Sequence, residues 1–78
     1  MFDEVKEIIS KYTEVENITE DLLLSQDLML TSLDVVSMVG DFEDAFDIEI
    51  VDEDIMQMKT VGDILVYLKN RGIGESEI

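Results

Sequence analysis

Cysteine, histidine, proline and tryptophan are all missing from these 78 residues. Without cysteine the chain has no disulfide, no thiolate metal site and no redox chemistry of its own. Without histidine it lacks the commonest general base and the commonest transition-metal ligand. With no proline and only four glycines, little in the sequence interrupts a helix. No apolar run approaches the roughly 18 residues needed to span a bilayer, so no membrane insertion is expected. Bases are scarce as well: five Lys and Arg stand against twenty Asp and Glu, a net charge of −15. Between Tyr12 and Met58 there are 14 acids and no base. Such a surface repels phosphate backbones and disfavours nucleic acid. It attracts proteins that carry Lys/Arg patches. The N-terminal Met1-Phe2-Asp3-Glu4 carries acid where a signal peptide needs base, so the expectation is an unprocessed cytoplasmic chain.

The length allows one small domain, residues 1–78, and the expectation is that about 2–71 are ordered and 72–78 fray. At this size only about 60% of the unfolded surface is buried, so stability is expected to be modest. Phe2, Val5, Ile8, Ile9 and Tyr12 recur at steps of three and four and predict an amphipathic helix over 2–12. Residues 14–30 lack that periodicity and read as a long loop anchored by Ile18, Leu22, Leu24 and Leu28.

A second helix is predicted from Ser32 to Phe46. Thr31 can cap it and Asp34 completes a capping-box pattern. Val35, Val39, Phe42 and Phe46 form its inward stripe, with Val36 widening it. Asp34, Ser37, Asp41 and Asp44 fall on the opposite side. Gly40 inside this helix costs up to about 1 kcal/mol relative to alanine unless something packs close against it.

Asp47-Ile48-Glu49-Ile50-Val51 alternates like a strand but has no partner strand, and reads as a connection with Ile48 and Ile50 inward. A short helix follows from Asp52 to about Met58. The last helix is capped by Thr60 with Asp63, presents Val61, Ile64, Leu65 and Leu68, and stops at Gly72. The fold class is therefore all-α: three main helices and one short one around a single core.

Ser32 read alone is a helix-start serine, the usual place for a capping residue. Leu33 beside it lies away from the inward stripe. Ser32-Leu33-Asp34, Val35-Val36 and Phe42-Glu43-Asp44-Ala45-Phe46 resemble the second helix of acyl carrier proteins, whose signature at this helix start is Asp-Ser-Leu. Asp27-Leu28, Ile48-Glu49-Ile50 and Lys59-Thr60-Val61-Gly62-Asp63 resemble the same family, so the likeness runs from Val5 to Leu68. The sequence departs from that pattern at Thr31, in place of the aspartate, at Met29-Leu30, at Ser37 and at Val51.

The resemblance implies that Ser32 is esterified to 4′-phosphopantetheine by a transferase that draws on coenzyme A and uses magnesium. The arm's thiol then holds acyl intermediates, in fatty acid or related lipid synthesis. A phosphodiester there would meet free N–H groups and the positive end of the helix dipole. The resemblance further implies a monomeric carrier without catalytic residues of its own. Partners would be the phosphopantetheinyl transferase and acyl-processing enzymes with basic patches. They would dock on Ser32, Leu33, Asp34, Ser37, Met38, Asp41 and Asp44, with Leu33 and Met38 as the apolar centre. Met56 and Met58 fit either core filling or a pliable wall for an acyl chain. Alternatives within the class are carriers of D-alanine, another amino acid or a polyketide intermediate. Outside it stand an adaptor without a prosthetic group and a divalent-cation-binding protein built on Asp47, Glu49, Asp52, Glu53 and Asp54. For the latter, no window supplies the glycine that an EF-hand loop needs, and no metal site is expected.

Overall fold

The computed structural model of the chain describes residues 2–73. Four helices follow one another: α1 (Phe2–Ile9), α2 (Ser32–Phe46), α3 (Asp52–Ile55) and α4 (Val61–Asn70). Among the described residues there is no strand. The nearest approach to one is an isolated antiparallel bridge between Leu23 and Thr60.

Helix α1 is shorter than the 2–12 span that its periodicity predicts. The N–H groups of Lys11 and Tyr12 donate to Ile8 and Ile9 three residues back, which tightens the last turn out of α-helical geometry. Its apolar stripe is buried as predicted at Val5, Ile8 and Ile9.

Helix α2 has the predicted bounds, but its inward arc is turned. Val39 and Phe42 are buried, and Phe42 stacks on half-buried Phe46 with ring centroids 6.3 Å apart. Met38 is completely buried, at 0% exposure, whereas Val36 is 59% exposed. Two sequence expectations are thereby corrected: Met38 belongs to the core and Val36 to the surface. Helix α1 packs against α2, and Tyr12 just past its end bonds to Asp41, one turn from Met38.

The long loop owes its order to burial of Ile18, Leu24, Leu28 and Leu30 and to backbone bonds with the start of α4. Leu24 N–H donates to Lys59 O at 2.9 Å, Val61 N–H to Leu22 O at 3.1 Å, and Gly62 N–H to Glu20 O at 2.8 Å. Two N–H groups of the first turn of α4, which no helical carbonyl can reach, are satisfied in this way. The approach is close: a Cβ on Gly62 would stand 3.2 Å from Glu20 O.

Ile50 is buried and Ile48 half-buried, so the 47–51 connection points inward as expected. Helix α3 covers Asp52–Ile55 and ends before Met58. Met58 N–H reaches back only to Ile55 O at 3.1 Å, a turn rather than a further helical repeat.

The chain leaves α4 at Gly72, the stop that the sequence predicts. Gly72 adopts φ +86°, its N–H donates to Lys69 O, and Ile73 N–H donates to Leu68 O, both at 3.0 Å. This is a Schellman stop, and Ile73 packs against the core. Residues 74–78, the rest of the tail expected to fray, lie outside the described residues.

Candidate functional site

The start of α2 is built locally. Thr31 occupies the cap position: its Oγ1 accepts from Asp34 N–H at 3.1 Å, and Asp34 Oδ2 accepts from Thr31 N–H at 3.1 Å. The capping box predicted from the sequence is complete. Because Thr31 does the capping, Ser32 is the first residue of the helix, and its cap role is excluded. Ser32 is exposed, and its hydroxyl has no hydrogen-bond partner among the described residues. The N–H groups of Ser32 and Leu33 likewise meet no protein acceptor there.

One free hydroxyl and two free N–H groups at the positive end of a helix dipole suit a covalently attached phosphodiester. The residues present therefore fit a phosphopantetheine group. Ser32 would bear it, and its own N–H and that of Leu33 would face the phosphate.

Ser32 also opens onto a groove of about 530 Å³. Its walls come from three separate parts of the chain: Leu23 and Ser25 of the loop, Val35 of α2, and Met56, Met58 and Lys59 after α3. Both methionines line the groove; Met58 is also half-buried against the core, whereas Met56 is 77% exposed. Lys59 supplies a base at this groove. Its backbone is pinned because Asp63 Oδ2 accepts from Lys59 N–H at 2.9 Å and from Thr60 N–H at 3.1 Å. Those two bonds hold the Asp63 carboxyl below the usual aspartate range.

The residues expected on the docking face do not all share it. Leu33 (78% exposed), next to Ser32, is open to solvent, as are Ser37 and Asp44 further along α2. Asp34 is half-buried and engaged in the cap. Asp41 accepts a hydrogen bond from the Tyr12 hydroxyl. Met38 is in the core and offers nothing to a partner. In its place the open face holds Val36, one helical turn from Leu33, and Gly40, one turn further. The period-three-to-four spacing from Leu33 was the signal available for Val36. The groove had no local signal, since its walls are far apart in sequence.

The acidic run Asp47, Glu49, Asp52, Glu53 and Asp54 gathers no group of three metal-binding side chains among the described residues. No helix is long and apolar enough to cross a membrane among the described residues.

Residues 3–68 match the family model for a phosphopantetheine attachment site. The chain is 40% identical over 73 residues to an acyl carrier protein of Thermotoga maritima, covering 91% of this chain and 90% of the relative. It is 39% identical over 72 residues to an acyl carrier protein of Sulfurovum sp., covering 90% of this chain and 96% of that one. In structure it is similar to the acyl carrier protein of Enterococcus faecalis, with a TM-score of 0.75 and 35% identity over 86% of this chain and 87% of that chain.

Proposed function

The chain belongs to the acyl carrier protein family, and from that premise we propose that Ser32 carries the 4′-phosphopantetheine and that the loaded chain serves fatty acid or related lipid synthesis. The observation that carries this reading is the division of labour at the start of α2. Thr31 caps the helix, and Ser32 next to it is left exposed with a free hydroxyl. A serine needed only for capping would have its oxygen on a backbone N–H.

In loading, the Ser32 oxygen bonds the pantetheine-bearing phosphorus of coenzyme A. The hydroxyl proton passes to a base on the transferase, and adenosine 3′,5′-bisphosphate leaves. When bound, the group supplies the thiol that the cysteine-free chain lacks, and with it thioester chemistry. The chain's own residues orient and shelter. The N–H groups of Ser32 and Leu33 would face the phosphate, and the Val35, Met56 and Met58 walls would offer apolar cover beside Ser32. The protein acts as a carrier and not as a catalyst, as a cytoplasmic monomer. Its partners are the phosphopantetheinyl transferase and acyl-processing enzymes that meet its negative surface with Lys and Arg.

The intact mass of the protein from its native host tests this. The expected result is a gain of one phosphopantetheine group mapped to the peptide containing Ser32, and none in Ser32→Ala, whose helical circular dichroism is retained because Thr31 still caps. Modification that persists in Ser32→Ala overturns the assignment.

A further inference from the structure

Lys59 is the only base between Tyr12 and Leu68, yet none of the surrounding acids holds it. The side chain is exposed and its ammonium makes no salt bridge among the described residues. Glu53 and Asp54 border a second hollow with Lys59, but neither lies within ion-pair distance. The Asp63 carboxyl is held low first by the backbone N–H groups of Lys59 and Thr60 and least by the Lys59 charge, so it is spent on the backbone.

The backbone of Lys59 is fixed on both sides. Its N–H donates to Asp63 Oδ2 at 2.9 Å, and its carbonyl accepts from Leu24 N–H at 2.9 Å. The flexible four-carbon stem therefore swings from a set point, and that point borders the same groove as Ser32. An anion on Ser32 needs such a charge. Asp34 stands two residues away and the whole chain carries −15, so a further negative charge at the start of α2 is opposed by the field of the protein. The N–H groups of Ser32 and Leu33 offer partial charges, and Lys59 is the one full positive charge lining the groove.

We propose that Lys59 is the counter-ion of the arm, its ammonium pairing with the phosphodiester on Ser32 across the groove they share. The proposal rests on Ser32 being the loaded residue. The phosphodiester is favoured over a carboxylate on the cargo because it is bonded directly to the Ser32 oxygen, whereas cargo sits at the free end of the arm.

The test compares the apo chain with the holo chain made by a phosphopantetheinyl transferase, both freed of coenzyme A and magnesium. Each is treated with limiting acetic anhydride, and acetylation at every lysine is counted by peptide mass, with Lys6, Lys11 and Lys69 as internal references. Lys59 is expected to react about twofold to fivefold more slowly in the holo chain at low salt, the scale of an exposed charge pair. The protection is expected to vanish in about 1 M sodium chloride, where screening acts over about 3 Å. Equal reactivity in the apo and holo chains overturns the pairing. So does protection that survives salt, which would be shielding by the bulk of the arm. Protection seen only after a dicarboxylic acyl group is loaded would give Lys59 to the cargo and overturn the assignment too. As a second readout, the 31P resonance of the holo chain is expected to move in Lys59→Gln and to stay in place in Lys69→Gln; a resonance unmoved in both counts against the contact. Failure of the wild-type chain to gain the arm, seen by mass before acetylation, removes the Ser32 reading itself, an outcome distinct from a loaded chain whose Lys59 is unprotected.

Discussion

The Tyr12 hydroxyl donates a 2.5 Å hydrogen bond to Oδ2 of Asp41, 29 residues further along the chain. It ties the turn that ends α1 to the middle of α2, on the side where Met38 is buried. The bond holds the Tyr12 phenol above its ordinary value of 10.0; burial and the negative charges of Asp41 and Asp34 push the same way. A folded value above the unfolded one means that folding favours the neutral phenol. The stability this contributes is complete below pH 10 and is lost as pH climbs through the raised value. Phenolate absorbance, read in a Tyr67→Phe background, is expected to place the Tyr12 midpoint above 10.0. Asp41→Asn should bring it down. An unmoved midpoint in Asp41→Asn would show that the bond is not the cause.

Met38 and Leu33 should respond oppositely to truncation. Met38 is fully buried and Leu33 is 78% exposed. Met38→Ala is expected to cost about 2–4 kcal/mol through lost burial and a cavity, with any loss of loading explained by the unfolded fraction. Leu33→Ala should leave the denaturation midpoint nearly unchanged while slowing transfer to partner enzymes. Urea titration beside a loading assay separates the two. A stable Met38→Ala chain with impaired transfer would restore Met38 to the docking surface.

Met29 is 78% exposed and sits at φ 60° in the loop before α2, a left-handed conformation that crowds any Cβ. Leu28 and Leu30 on either side are buried, so the backbone is held there by its neighbours. Met29→Gly should stabilise the chain by about 1 kcal/mol, the relieved strain exceeding the added freedom of the unfolded chain. Thermal denaturation at neutral pH checks this, and a lower Tm for the glycine variant would count against strain at the position.

With −15 on 78 residues, self-repulsion opposes the compact state. Sodium chloride should raise Tm by screening, and magnesium should do so at lower concentration because each ion carries two charges. A melting temperature indifferent to both would mean that the acids are compensated within the fold.

Much of this protein follows from the sequence alone, because its decisive features are local. Both capping boxes join residues three positions apart, Thr31 to Asp34 and Thr60 to Asp63, and a contact of that range needs nothing from the rest of the chain. The bounds of α2, the buried stripe of α4 and the place of Ser32 at a helix start could therefore be read from residue order. The side of α2 that faces inward could not. Val36 and Met38 are both apolar and flank the same stripe, and helical periodicity alone does not choose between them. The choice fell to α1, which packs on α2 and whose Tyr12 bond lies on the Asp41 side, leaving Val36 in solvent. The groove beside Ser32 was equally beyond local reading. Its walls come from the loop, from α2 and from the turn after α3, and they meet because loop carbonyls take up the N–H groups that α4 cannot satisfy within itself.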